Sequence, residues 1–308
     1  MAMNYSIQDL KKLGVTFSFI SESDAEEITR TEYPLSKLMR YSVLFDRYRS
    51  TTKAGLFLDL DFAYLYDLSL LDSELRKIIL CLCLDVEQSL KTVFLYDCER
   101  ANCQESIVRD FITSDPDYLL NAYNAQNLDL SAKKIIGDNP IDTLTLDDFL
   151  EILQFGTFQR FSSFFYQRHA QFLYGREQSP MEPFFDSVRI LRNTAAHNNT
   201  VLDGLSNAVS PNFRVNYGVL SFLGRSGIKS RTLETNMAKQ PIHDFVCLIH
   251  LYSRLESPSK TQHTLVKVLS FLEERCTRHS EYYIKNPTLL SAYRFLVQVI
   301  NVYCKNIC

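Results

Sequence analysis

Leu70-Leu71-Asp72-Ser73-Glu74-Leu75-Arg76-Lys77-Ile78-Ile79-Leu80-Cys81-Leu82-Cys83-Leu84-Asp85-Val86-Glu87-Gln88-Ser89-Leu90-Lys91-Thr92-Val93-Phe94-Leu95-Tyr96 is the stretch that decides the fold class. Leu71, Leu75, Ile78, Leu82, Val86, Ser89 and Val93 recur at intervals of three and four, which sets them on one stripe of a long helix. Asp72 is placed to cap its start, and Glu74 falls in the first turn, where the helix dipole favours negative charge. Arg76, Glu87 and Lys91 lie off the stripe, and Glu87 with Lys91 makes a favourable i, i+4 pair. Such a helix needs a core to lie against along its whole length.

Towards the N-terminus, a helix is expected over about Ser6 to Leu13. A second follows Ser21 or Ser23, with Asp24, Glu26 and Glu27 near its positive end. Pro34 reads as the first-turn residue of a third, running to about Tyr48. In the other direction, Ser114-Asp115-Pro116-Asp117 and Gly137-Asp138-Asn139-Pro140 mark loops around one short helix. Thr145, followed by Asp147, Asp148 and Glu151, opens another helix, and Gly156 inside Phe155-Gly156-Thr157-Phe158 allows a bend or a close crossing. In the aromatic segment Phe158 to Tyr174, Phe161, Phe164, Phe165 and Tyr166 read as packing residues. Apolar periodicity returns over about Pro241 to Leu255, Gln262 to Cys276 and Pro287 to Cys304. Only Val215 to Leu223 suggests a strand pair or β-turn. Nine glycines and nine prolines are few for 308 residues, and no Asn-Gly hairpin signal separates alternating runs, so the expected class is all-α.

Hydrophobic residues at 46% and charged residues at 22% are ordinary values for a soluble chain. The longest apolar run, Ile78 to Leu84, stops at Asp85, well short of the roughly 18 residues of a membrane span. The start lacks the basic-then-apolar pattern of a secretory signal, so no membrane association and a cytoplasmic location are expected. The eight cysteines lack the paired short spacings of zinc or redox sites, and Cys304 with Cys308 is one pair without a second. Reduced thiols, no metal and no cofactor are the expectation. His169, His243, His250, His263 and His279 are scattered, which favours core or surface roles. A net charge of −3 means that any nucleic-acid contact must come from a local basic patch.

One segment combines a fixed cation, an amide and an imidazole. Residues 189 to 200 read Arg-Ile-Leu-Arg-Asn-Thr-Ala-Ala-His-Asn-Asn-Thr. On a helix over about 183 to 197, Phe184, Val188, Leu191 and Ala195 form an apolar stripe. Asp186, Arg189, Asn193 and His197 occupy the other side, and Arg192 projects from the boundary. Metal-free RNA cleavage asks one group to take the ribose 2′-OH proton, another to protonate the departing 5′-oxygen, and a fixed charge to steady the phosphorane. Imidazole suits the proton steps. Arg192 suits the phosphate through its planar fork, and Asn193 suits orientation of the imidazole or a phosphate oxygen. One copy holds one such histidine; a C2 dimer supplies the second.

Three blocks in order carry a family resemblance. Leu65-Tyr66-Asp67-Leu68-Ser69-Leu70-Leu71-Asp72-Ser73-Glu74-Leu75-Arg76, continuing into Asp85-Val86-Glu87-Gln88-Ser89-Leu90-Lys91, is similar to an Asp-x-x-Leu-Arg helix ending in Ile/Val-Glu-x-x-Leu-Arg. Phe149-Leu150-Glu151-Ile152-Leu153-Gln154-Phe155-Gly156-Thr157-Phe158 is similar to a segment carrying Phe-Gly-Thr-Leu. Val188-Arg189-Ile190-Leu191-Arg192-Asn193-Thr194-Ala195-Ala196-His197 is similar to a Leu-Arg-Asn-x-x-Ala-His signature. Over about residues 30 to 200 the chain resembles the Abi-like (abortive infection, AbiD/AbiF-type) family of the HEPN superfamily.

The resemblance implies a HEPN-type helical bundle with additional N- and C-terminal helices. The core would span 1–235, and 236–308 would be a helical extension packed on it. It further implies a homodimer, metal-independent endoribonuclease activity, and a role in phage defence, often with toxin-like growth arrest; single-stranded RNA is the substrate of the leading reading, and an antitoxin protein or small RNA is a candidate partner. Arg192, Asn193 and His197 match the catalytic motif. Glu87 matches an acidic position that would orient Arg192 or His197, with a routine pairing to Lys91 or Arg76 as the alternative, and Arg189 and Asn198 are candidates for RNA contact. A non-catalytic HEPN module binding RNA or a partner protein is the alternative function, and a purely structural helical dimer the third. One departure stands out. Asn198-Asn199-Thr200-Val201-Leu202-Asp203 replaces a family stretch carrying Arg-Leu-Trp-Asn, and the chain has no Trp. Arg189, Arg214 or Arg225 is available to replace the missing phosphate contact.

Overall fold

The computed structural model describes residues 5–50, 52–114, 130–137, 141–172, 181–206, 209 and 213–306. Among them there are helices and no strands. The extended pairings are single bridges, Thr16 with Asp61 and Arg47 with Phe57. The all-α expectation holds. The chain forms two compact units, one of Met1–Cys83 with Ile190–Cys308 and the other of Leu84–Arg189. This division differs from the sequence boundary at 235, because the C-terminal helices share a unit with the N-terminal segment. Both the long helix, Phe62–Arg100, and the motif helix, Glu182–Ala196, carry the chain from one unit into the other.

Several helix starts follow local chemistry. Ser6 accepts the Asp9 N–H while Asp9 reaches back to the Ser6 N–H, a reciprocal capping box for Ile7–Lys12. Ser21 caps Glu22–Thr31 through the Asp24 N–H, and Thr145 caps Leu146–Ile152 through the Asp148 N–H. Of the loops expected around residues 114–117 and 137–140, positions 115–117 and 138–140 lie outside the described residues, as does Cys308. The described residues between them include the short helix Leu130–Ile136.

Four expectations need correction. Pro34 does not open a helix reaching Tyr48; it caps the single turn Leu35–Leu38, which tightens into a 3-10 helix over Met39–Leu44. The break near Gly156 falls before it. Leu153 and Gln154 are extended, and a new helix, Phe155–Arg168, begins there. Val215 to Leu223 contains no strand. The Asn216 side chain accepts the Val219 N–H, and Val219 with Leu223, four apart, buries one face of the helix Tyr217–Arg225. The long helix begins at Phe62, so Asp72 lies within it and does not cap its start. Its buried face is broader than one stripe: Leu71, Leu82 and Val86 of the predicted stripe are buried together with Leu68, Asp72, Ile79, Cys83, Leu90 and Phe94, whereas the predicted Leu75, Ile78, Ser89 and Val93 are half-buried.

In the unit Leu84–Arg189, Phe94 stands at the centre of an aromatic core. Its ring centroid lies 5.7 Å from that of Phe158, 5.0 Å from Phe161 and 5.2 Å from Phe165. Edge-to-face geometry adds quadrupole attraction to ordinary burial. Phe161, Phe165 and Tyr166 are buried, as the sequence reading expected, and Phe164 lies under the Arg168 guanidinium, 3.6 Å from its ring centroid.

The other unit is built around Gln240–Leu255, buried from Ile242 to Ile249 without interruption, with Pro287–Asn306 contributing Phe295, Val299 and Ile300. Two buried carboxylates tie remote segments here. Asp67 accepts from Arg275 at 2.9 Å and from the Tyr283 hydroxyl at 2.6 Å. Asp72 pairs with Arg76 and accepts the Tyr41 hydroxyl at 2.9 Å. A Cβ on Gly204 would stand 2.6 Å from Pro241 Cγ, so only glycine lets the 3-10 turn Leu202–Leu205 approach the start of Gln240–Leu255 so closely.

Candidate active site

The motif helix obeys the predicted wheel. Phe184, Val188, Leu191 and Ala195 are buried, whereas Asp186 and His197 are exposed and Arg189 and Asn193 half-buried. Burial of one stripe fixes the rotation of the helix, and that rotation turns Asn193 and His197 outward. Arg192 is half-buried, and its Nε is enclosed with no hydrogen-bond partner among the described residues.

The helix end sets the position of His197. Asn198 adopts φ 55°, its N–H donates to the Ala195 carbonyl at 3.1 Å, and the Asn199 N–H donates to Thr194 at 2.9 Å. These two bonds form a Schellman motif, and asparagine tolerates the left-handed conformation it requires. His197 is thus the last residue before the chain reverses, its N–H donating to the Asn193 carbonyl at 3.0 Å. Asn198, expected as an RNA contact, has a backbone task as helix terminator.

Beyond that turn the chain is held by Asp72. Its Oδ1 accepts the Val201 N–H at 3.1 Å and the Leu202 N–H at 2.9 Å. Burial pushes the Asp72 carboxyl up from the usual carboxylate range, against the opposing pull of Arg76 and the two backbone donors. Arg40 donates to Asp203 at 3.1 Å, which fixes the same segment from another side. The stretch that departs from the family pattern therefore packs as a buried strap, with Thr200, Val201, Asp203 and Leu205 all inward.

Arg192 and Asn193 lie close to the C-terminal end of the motif helix and His197 closes it. Glu87 and Arg189 have other partners: Glu87 pairs with Lys91 at 3.1 Å and Arg189 with Asp186 at 3.1 Å. Asp72 was misread from sequence. Its signal was available, since a carboxylate and Arg76 four residues apart fall on the buried face of an apolar helix. His243 is buried, receiving the Asn216 N–H at Nε2 and lying 2.9 Å from Asp244 at Nδ1. His250 is also interior, and burial lowers it to about 4. Both match the core role expected of scattered histidines. Among the described residues no three His, Cys, Asp or Glu side chains are grouped to hold a metal ion, and no helix is long and apolar enough to cross a membrane.

These features define an all-helical protein with an Arg-Asn-x3-His cluster at a closed helix end. A family model for Abi-like proteins matches residues 31–203, more than half of the 308-residue chain, and the protein belongs to that family. The match contains all three blocks quoted above and ends at the strap. Membership implies a part in abortive infection, a form of phage defence. Neither curated proteins nor solved structures return a match.

Proposed function

We propose that the protein is a metal-independent endoribonuclease of the HEPN type that cleaves single-stranded RNA and acts in abortive infection as a toxin-like enzyme. The observation that carries this reading is the placement of Arg192 and Asn193 close to the C-terminal end of one helix and of exposed His197 at its closing position. In the proposed reaction a base removes the 2′-OH proton, O2′ attacks phosphorus, and the bond from phosphorus to O5′ breaks as an acid delivers a proton to O5′. The products are a 2′,3′-cyclic phosphate and a free 5′-hydroxyl, with no net change in protons and no co-reactant.

Imidazole serves either proton step, because both its forms are populated near neutral pH. Arg192 holds the phosphate and offsets the charge that grows on the phosphorane, and Asn193 orients the imidazole or a phosphate oxygen. Each chain supplies one such histidine, so the working enzyme is a homodimer with two helix ends facing across a twofold axis. A protein or small-RNA antitoxin restrains it between infections.

The test is cleavage of a labelled single-stranded RNA in EDTA by the wild type and by Arg192→Ala and His197→Ala. Cyclic-phosphate ends from the wild type alone support the reading. RNA binding without cleavage in all three proteins points to the non-catalytic module, and a strictly monomeric protein that still cleaves overturns the paired-site mechanism.

A further inference from the structure

Arg225, Lys229 and Lys305 line one open groove of about 1210 Å³, formed wholly within the unit that contains the C-terminal helices. Its walls come from the end of Tyr217–Arg225, the turn after it, and the last turns of Pro287–Asn306. All three cations are exposed, and among the described residues none forms an ion pair. No Asp or Glu is among the lining residues; the remaining polar groups are hydroxyls and amides such as Thr232, Gln298 and Asn301. In a chain of net charge −3, three unopposed cations in one concavity create a local positive field that the average surface lacks. The groove also lies outside residues 31–203, the part the family shares.

The form of the site selects among anionic partners. A concave channel suits a strand that enters it, whereas a bilayer surface presents a plane. Cations spaced along a groove form the electrostatic track that holds the backbone of single-stranded nucleic acid without reading its sequence.

We infer that this groove binds the phosphate backbone of single-stranded RNA; as the route by which substrate is held, it rests on the ribonuclease reading above. The test is fluorescence anisotropy with a labelled single-stranded RNA in EDTA, in a His197→Ala background so that the probe survives. The triple variant Arg225→Glu, Lys229→Glu, Lys305→Glu is expected to bind at least about tenfold more weakly at 0.1 M salt. Its salt slope should fall by about 2, for three phosphates at roughly 0.7 each. A charge-matched control, Lys77→Glu, Lys267→Glu, Arg278→Glu, reverses exposed cations outside the groove and should stay within about threefold of the parent. Should the groove triple fail to fold by circular dichroism, Lys305→Ala and Arg225→Ala singly are each expected to lose binding several-fold.

Equal losses in the two triples overturn the groove even if the wild type cleaves RNA. Selective loss in the groove triple, in a protein whose wild type never cleaves, upholds the groove and sinks the ribonuclease reading. Binding of phosphatidylserine vesicles in preference to RNA overturns the groove as an RNA site.

Discussion

The carboxylate of Asp72 accepts the backbone N–H of Val201 at 3.1 Å, joining the first third of the long helix to the strap that follows the motif, 129 residues away in sequence. The same carboxylate holds Leu202, Tyr41 and Arg76. A single buried acid thus fixes the path of the chain immediately after His197.

Asp72→Ala should destabilise the fold by about 3–5 kcal/mol, the usual cost of removing one partner from a buried ion pair. Arg76 and two backbone donors are left uncompensated. Urea denaturation measures the loss, and the double variant Asp72→Ala, Arg76→Met should recover part of it because the stranded cation goes too. A double variant no more stable than the single would show that Arg76 is not what suffers.

Asn198 distinguishes a helix terminator from an RNA contact. At φ 55° a glycine fits without strain, so Asn198→Gly should melt within a few degrees of the wild type and retain its RNA cleavage. Asn198→Val should lose roughly 1–2 kcal/mol, since a β-branched residue resists the left-handed region. Loss of cleavage in a well-folded glycine variant would return the side chain to the substrate.

His250 gives the fold a defined acid sensitivity. Burial lowers its ring from the ordinary 6.5 to about 4, and the neutral Nδ1 lies 2.8 Å from the Tyr303 hydroxyl. Its folded pKa lies below its unfolded one, so the unfolded chain takes up the proton first. This contribution is complete above 6.5 and drains away as pH falls towards 4, by about 3 kcal/mol at most. Stability curves at several pH values for the wild type and His250→Gln should differ in slope across that window. Parallel curves would mean that the ring is already protonated or exposed in the fold.

For the proposed chemistry, Arg192→Ala and His197→Ala should each lower EDTA-resistant cleavage at least about 100-fold while leaving the melting temperature nearly unchanged. Arg189→Ala removes a guanidinium engaged with Asp186 and should cost less than about fivefold. A His197→Ala protein that cleaves at the wild-type rate ends the assignment.

How much was legible in the sequence follows the range over which each signal acts. Ser6, Ser21 and Thr145 announce helix starts because a cap is completed by a residue three positions on. The stripe Phe184, Val188, Leu191 and Ala195 announces the rotation of the motif helix because it is a property of that helix alone, and with it the outward turn of Asn193 and His197. The aromatic segment announces a core for the same reason.

Asp72 was misread because its partners, Tyr41, Val201 and Leu202, are distant in sequence, and a carboxylate near an expected helix start looks locally like a cap. The groove was equally hidden, since Arg225 and Lys305 meet only when their two helices pack together. The sequence by itself determined the helical class, most helix positions and the residues of the candidate site, all matters settled within about a turn of chain. The tertiary structure alone decided how the segment after His197 is held and where unopposed positive charge gathers, because buried ion pairs and surface grooves are made by segments brought together in folding.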